Sequence, residues 1–180
     1  PAGIVATDTD VWVANAADAT VSRINIAANL VVQAAIPVGS RPEALAVAAG
    51  GVWVANSGDN TVQRIDQPTG RPGPPLDVGD GPDGLAVDDT SIWVANGREG
   101  SVWRIDAQTG DQMTSPVRVG SGPRGIVRVG NDVWVADELS QSVTGITVAT
   151  GRTQSFDVGD GPTAIAALGD SVWVAHKYSG

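Results

Sequence analysis

Short apolar runs rich in valine, isoleucine and alanine follow one another along the whole chain, each bounded by glycine, proline, asparagine or aspartate. The clearest is VWVAN at Val11, which returns as VWVAN at Val52, IWVAN at Ile92, VWVAD at Val133 and VWVAH at Val172. Its tryptophans, Trp12, Trp53, Trp93, Trp134 and Trp173, are 41, 40, 41 and 39 residues apart. Pro1, Pro42, Pro82, Pro123 and Pro162 each precede their tryptophan by 11 residues, and Thr20, Thr61, Ser101 and Ser142 follow theirs by eight. Three markers in one phase define a repeat of about 40 residues.

Within the unit that starts at Pro42, Ala44 to Ala48, Val52 to Ala55, Thr61 to Ile65 and roughly Arg71 to Val78 alternate or are rich in β-branched residues, which predicts four strands. The breaks between them carry hairpin chemistry. Ala49-Gly50-Gly51 suits a tight turn, Asn56 to Asn60 a longer loop, and Gln67-Pro68-Thr69-Gly70 a turn ending in a residue that can take positive φ. Asn29 stands where Gly70, Gly110 and Gly151 stand in other units, and asparagine is the next best residue for that conformation. Repeated four-stranded antiparallel units of this length predict an all-β fold, a β-propeller. Blades are expected over about 1–41, 42–81, 82–122 and 123–161, with a two-strand partial fifth over 162–180. On a strand such as Val11 to Ala14 the valines take one face and Trp12 with Ala14 the other; both are apolar, as in a sheet sandwiched between neighbours. The five repeat tryptophans are therefore expected to be spacers between blades.

Composition narrows the partners. With 42% hydrophobic and 17% charged residues the chain can fold, and its formal charge of -9 would repel nucleic acid and anionic membrane surfaces. No apolar run reaches the roughly 18 residues of a membrane span, and the sequence opens on Pro1 without a basic and apolar leader, so neither an anchor nor a signal peptide is expected within it. The absence of cysteine excludes disulfides and thiolate metal sites.

The stretch PEALAVAAGGVWVANSGDNTVQRIDQPTG resembles the repeat of the YVTN and NHL-like propellers of bacteria, a superfamily that also includes the streptogramin lyases. In that family P-x-G-[LI]-A-V is the innermost strand and the VWVAN segment the second, and the resemblance extends over the whole chain. It implies the propeller fold. It leaves function open between extracytoplasmic sensor domains of receptor kinases, surface or secreted binding proteins, and enzymes. Streptogramin lyases use histidine and glutamate with a bound magnesium on the propeller face. Here the single histidine, His176, replaces the Asn or Asp that ends the second strand of other units, and Glu43, Glu99 and Glu138 fall at unrelated places in their repeats, so that centre does not transfer.

Other candidates are few. DVGDGP occurs twice, pairing Asp77 with Asp80 and Asp157 with Asp160, an oxygen-rich turn that could take a divalent cation; the equivalent linkers PVGSRP and RVGSGP lose one or both acids. Beyond that cation no cofactor is expected. GDGPDG at Gly79 precedes a strand, which argues against a phosphate loop. Asn15, Asn56, Asn96 and Asp137 read as side-chain caps of the loop after the second strand. Trp103 breaks the repeat where Ser22, Gln63 and Thr144 stand, either as local packing or as an exposed partner-binding aromatic. Arg41 and Arg124 flank inner-strand prolines near the central channel and could meet an anionic group.

Four and a half blades imply an arc of a larger ring. Its raw flanks, at Val11 with Trp12 and at Val172 with Trp173, are expected to be covered by self-association or by further blades. The expected function is a non-enzymatic binding, sensing or protein-interaction module, extracytoplasmic or secreted, whose ligand is a protein or small molecule. The alternative is a streptogramin-lyase-like enzyme with part of its catalytic residues outside this chain.

Overall fold

A computed structural model describes residues 1–177, so the last three residues of the partial blade predicted over 162–180 lie outside the described residues. Each stretch between the repeat prolines forms one antiparallel sheet with strands in chain order. Blade 1 contains β1 (Ile4–Ala6), β2 (Asp10–Asn15), β3 (Thr20–Asn25) and β4 (Leu30–Pro37). Blade 2 contains β5 (Pro42–Ala48), β6 (Gly51–Asn56), β7 (Thr61–Asp66) and β8 (Pro72–Asp77). Blade 3 contains β9 (Pro82–Val87), β10 (Ser91–Asn96), β11 (Ser101–Asp106) and β12 (Val117–Arg118). Blade 4 contains β13 (Pro123–Val129), β14 (Asp132–Asp137), β15 (Ser142–Thr147) and β16 (Thr153–Asp157), and the partial blade 5 pairs β17 (Pro162–Leu168) with β18 (Ser171–His176). The chain has the all-β propeller architecture that its repeat predicts.

The turn chemistry matches the backbone. Ala49 and Gly50 both have positive φ, 48° and 68°, as the two-residue hairpin between β5 and β6 requires, and Asn29 has φ 51° beside 65° at Gly70. Blade 3 has its four strands, but the outer one shrinks to two residues, because Pro116 lacks an N–H and 111–116 pairs only through a single bridge from Gln112 to Ile105. In blade 2 the outer strand carries Pro72, Pro74 and Pro75, acceptable at a sheet edge where the missing donors would have faced solvent.

The core consists of seams between consecutive blades, and the seams have a direction. Trp12, Val21 and Ile36 of blade 1 meet Val52, Val54 and Ile65 of blade 2. Trp53 and Val62 of blade 2 meet Ile92, Val94 and Ile105 of blade 3, and Trp93, Ala95 and Val102 of blade 3 meet Val133, Val135 and Ile146 of blade 4. Each tryptophan thus faces the following blade and each flanking valine the preceding one. This corrects one expectation: Trp12 is fully buried against blade 2, and the raw flank of blade 1 consists of half-buried Val11 and Val13 instead. At the other end the expectation applies to Trp173, which is 64% exposed, and is corrected for Val172, which is half-buried on the opposite face of its strand, the face turned toward blade 4. Trp134, which only the two strands of blade 5 can cover, is half-buried, with the Phe156 ring 5.7 Å away.

Near the axis the innermost strands pack side by side, which explains the small residue two places after each repeat proline. A Cβ on Gly84 would land on the Arg124 carbonyl, one on Gly125 would lie 2.9 Å from the Ile165 amide, and one on Gly3 would lie 2.6 Å from the Glu43 carbonyl.

Candidate functional site

The period of two along the innermost strands turns the first and third residues after each proline toward the axis. Around one open cavity of about 880 Å³ this sets a wall of Ile4, Leu45, Leu85, Ile126 and Ile165 beneath a rim that includes Glu43, Asp83, Arg124 and Thr163. Arg41, Ser57 and Arg98 join the rim from the adjoining loops. Three arginines and two carboxylates thus line the mouth of a strongly acidic chain.

The rim is cross-braced. Arg41 donates to Glu43 Oε1 at 3.1 Å, and Arg124 Nε lies 2.7 Å from Glu138 Oε2, whose other oxygen is 3.6 Å from Lys177 Nζ. Arg98 bridges blades 2 and 3: Nε donates to Asp80 Oδ1 at 2.8 Å, while Nη2 donates to the Ser57 carbonyl at 2.7 Å and to Asn60 Oδ1 at 2.9 Å. Ser57 donates across the same seam to Asp83 Oδ1 at 3.0 Å. These contacts hold the side chains in place, yet the Arg41, Arg98 and Arg124 side chains remain at least half exposed, open to a ligand's acceptors. Arg41 and Arg124 were legible in the sequence as rim residues. Arg98 was not: in the loop after the second strand it stands where Ala17, Gly58 and Leu139 stand in other blades, and its partners come from another blade.

Under the rim, the residue that ends the second strand of blades 2, 3 and 4 is sealed against the linker into its blade. A Cβ on Gly39 or Gly120 would come within 2.7 Å of the side chain of Asn56 or Asp137, and Asn96 crowds Gly79 equally. Asn56 Nδ2 donates to Thr61 Oγ1 at 3.1 Å, Asn96 Nδ2 to Ser101 Oγ at 3.3 Å and Asn15 Nδ2 to Thr20 Oγ1 at 3.2 Å, so these residues brace the first residue of the third strand. In blade 4 Thr144 Oγ1 donates to Asp137 Oδ2 at 2.6 Å. Burial pushes the Asp137 carboxyl up to about 6, against the pull of that hydroxyl and of the Gly120 amide.

The remaining candidates disperse. Asp80 is held by Arg98, Asp77 ends β8 opposite Thr61, and Asp157 accepts from the Gly159 amide at 3.2 Å. Asp160 places its main-chain carbonyl 3.0 Å from His176 Nδ1. Among the described residues no three His, Asp or Glu side chains gather as a metal would require. Trp103 is half-buried in the seam between blades 2 and 3, against the cluster around Trp53, so the exposed-aromatic reading is corrected to packing. No helix among the described residues is long and apolar enough to cross a membrane.

No family model and no curated protein matches the chain. Solved structures do. The chain is similar to a streptogramin B lyase at 19% identity and TM-score 0.84, covering 98% of this chain and 62% of that one. It is similar to the Kuenenia stuttgartiensis hydrazine synthase at 20% identity and TM-score 0.83, over 93% and 51%, and to the WD40 repeats of RRP9 at 11% identity and TM-score 0.81, over 91% and 53%. It thus spans between half and just under two thirds of these proteins. At such identities the likeness shows architecture alone: this is a β-propeller repeat protein.

Proposed function

We propose that the chain is a non-enzymatic binding or sensing module whose recognition face is the mouth of the axial cavity, in a bacterial protein that works outside the cytoplasm. One observation supports this above others: Arg41, Arg98 and Arg124 are positioned by contacts within and across blades while their guanidinium groups stay open beside Glu43 and Asp83. Such a braced, mixed-charge rim above apolar walls suits an extended ligand carrying both charged and apolar groups, a peptide segment or a small molecule of that character. Propellers among the similar structures include a protein of the mitotic checkpoint complex, which accords with a role in protein interaction. An array of acidic, basic and mixed-charge decapeptides, read by fluorescence anisotropy, tests the reading. Mixed-charge members are expected to bind, and Arg98→Ala and Arg124→Ala to weaken them by about tenfold or more, whereas Arg152→Ala, on the outer turn of blade 4, leaves them unchanged. If no member binds, or all three variants behave alike, the reading fails.

The enzyme alternative draws on the likeness to streptogramin and virginiamycin B lyases, one of which is described with quinupristin. That alternative places part of its catalytic residues outside this chain; incubating the chain with quinupristin and following the compound by chromatography tests it, and catalytic turnover would establish it.

A further inference from the structure

At the end of the blades opposite the mouth, each tryptophan of the first three blades stands across from an arginine of the third strand: Trp12 from Arg23, Trp53 from Arg64 and Trp93 from Arg104. In blades 1 and 3 a carboxylate completes the group. Asp10 holds Arg23 at 2.8 Å, with the guanidinium 5.0 Å over the Trp12 ring. Asp88 accepts from Trp93 Nε1 at 3.2 Å, and Arg128 of the next blade lies 3.9 Å from the same oxygen. In blade 2 the residues at these two places are Gly51 and Ala48. Arg64 Nη2 donates to the Ala49 carbonyl at 2.9 Å, but Arg64 Nε and Trp53 Nε1 are buried donors without a protein acceptor, as are Arg23 Nε and Trp12 Nε1 in blade 1, where Asp10 meets Arg23 through Nη2. In blade 3 Trp93 Nε1 has Asp88, and Arg104 Nε donates to Ser91 Oγ at 2.9 Å. Both side chains line a cleft of about 250 Å³, together with Arg71 and the turn at Gln108 and Thr109; the corresponding cleft of blade 1, with Asp10 inside, holds about 180 Å³. Asp66 at the rim has its Oδ1 engaged by the Thr69 amide and hydroxyl.

We infer that the cleft between blades 2 and 3 binds a carboxylate brought by a ligand, which takes beside Trp53 the place that Asp88 takes beside Trp93 in blade 3. A buried donor left unpaired is costly, and two in one cleft beside a second arginine make a site that an anion relieves. Both donors are shielded from water, so the incoming group draws Arg64 off the Ala49 carbonyl as it enters. The carboxylate can come from an acidic side chain of a peptide or from a free acid, and the test separates these.

Proton–nitrogen correlation spectra of the whole chain display the indole N–H signals of its six tryptophans, and Trp53→Phe assigns that of Trp53. Sodium acetate and, separately, the peptide acetyl-Gly-Glu-Gly-amide are titrated against sodium chloride at matched ionic strength. The Trp53 signal is expected to move downfield and saturate with either carboxylate and not with chloride, while that of Trp93, already bonded to Asp88, stays in place. Saturation by the peptide at lower concentration than acetate identifies an acidic side chain as the source, and the reverse order a free acid. Arg64→Gln is expected to weaken the response by more than about tenfold. Ala48→Asp, which sets a carboxylate at the place that Asp88 holds beside Trp93, is expected to abolish it. The other indole signals report whether each variant keeps its fold. A Trp53 shift no larger than chloride produces, or a titration unchanged by Ala48→Asp, overturns the proposal.

Discussion

Asp137 is a carboxylate where three other blades carry an amide, Asn15, Asn56 and Asn96, and it is fully buried. Its folded pKa of about 6, against an ordinary 3.8, means that between these values the folded chain keeps a proton that the unfolded chain releases. Stability therefore falls as pH rises from about 4 to 6 and is level above, so the ionised acid costs at most about 3 kcal/mol at neutral pH. Asp137→Asn is expected to be more stable at pH 7 by up to that amount and to lose this slope, as denaturant melts at pH 4.5 and 7 can show. Gly84 is a second residue whose identity is set by contact. Its missing Cβ would meet a carbonyl of the next blade, which cannot swing aside, so Gly84→Ala is expected to cost about 1 to 3 kcal/mol in the same melts.

The elements show what was legible and what was not. The four strands of blade 2 could be read within a residue or two because turn residues bracket β-branched runs, and Asn29 could be placed at positive φ from its phase alone. The alternation also separates Trp12 from Val11, but periodicity does not say which neighbour each face meets, so the flank expected at Trp12 is in fact formed by Val11 and Val13. The place of Arg98 on the rim escaped for the same reason. Arg98 and Ser57 are 41 residues apart in sequence, and only the curvature of the arc brings them together. The outer strands differ in a further respect: β8 is blunted by prolines and β16 ends on Asp157, whereas β4 reads LVVQAAIP, with Leu30, Val31 and Val32 each more than half exposed and no charge. Such an edge invites pairing with another strand. Light scattering across a concentration series is expected to show association of the wild-type chain that Val32→Lys reduces; equal association of both would remove β4 from consideration.

At the scale of the molecule, the repeat is a stack with one sense. Every blade offers a tryptophan forward and valines backward, and the axial cavity, its braced rim and the cleft of blade 2, whose Trp53 lacks the carboxylate that Trp93 has, are all consequences of how successive wedges meet. The stacking sense makes two chemically identical positions unequal: Trp53 is 1% exposed because blade 3 covers it, and Trp173 is 64% exposed. Equilibrium unfolding of Trp53→Ala and Trp173→Ala, in solution dilute enough for the transition not to depend on concentration, compares them directly. The account predicts a loss of about 3 to 5 kcal/mol for Trp53→Ala and less than about 1 kcal/mol for Trp173→Ala. Equal losses, or a larger one at Trp173, would contradict the forward packing of each tryptophan onto the next blade.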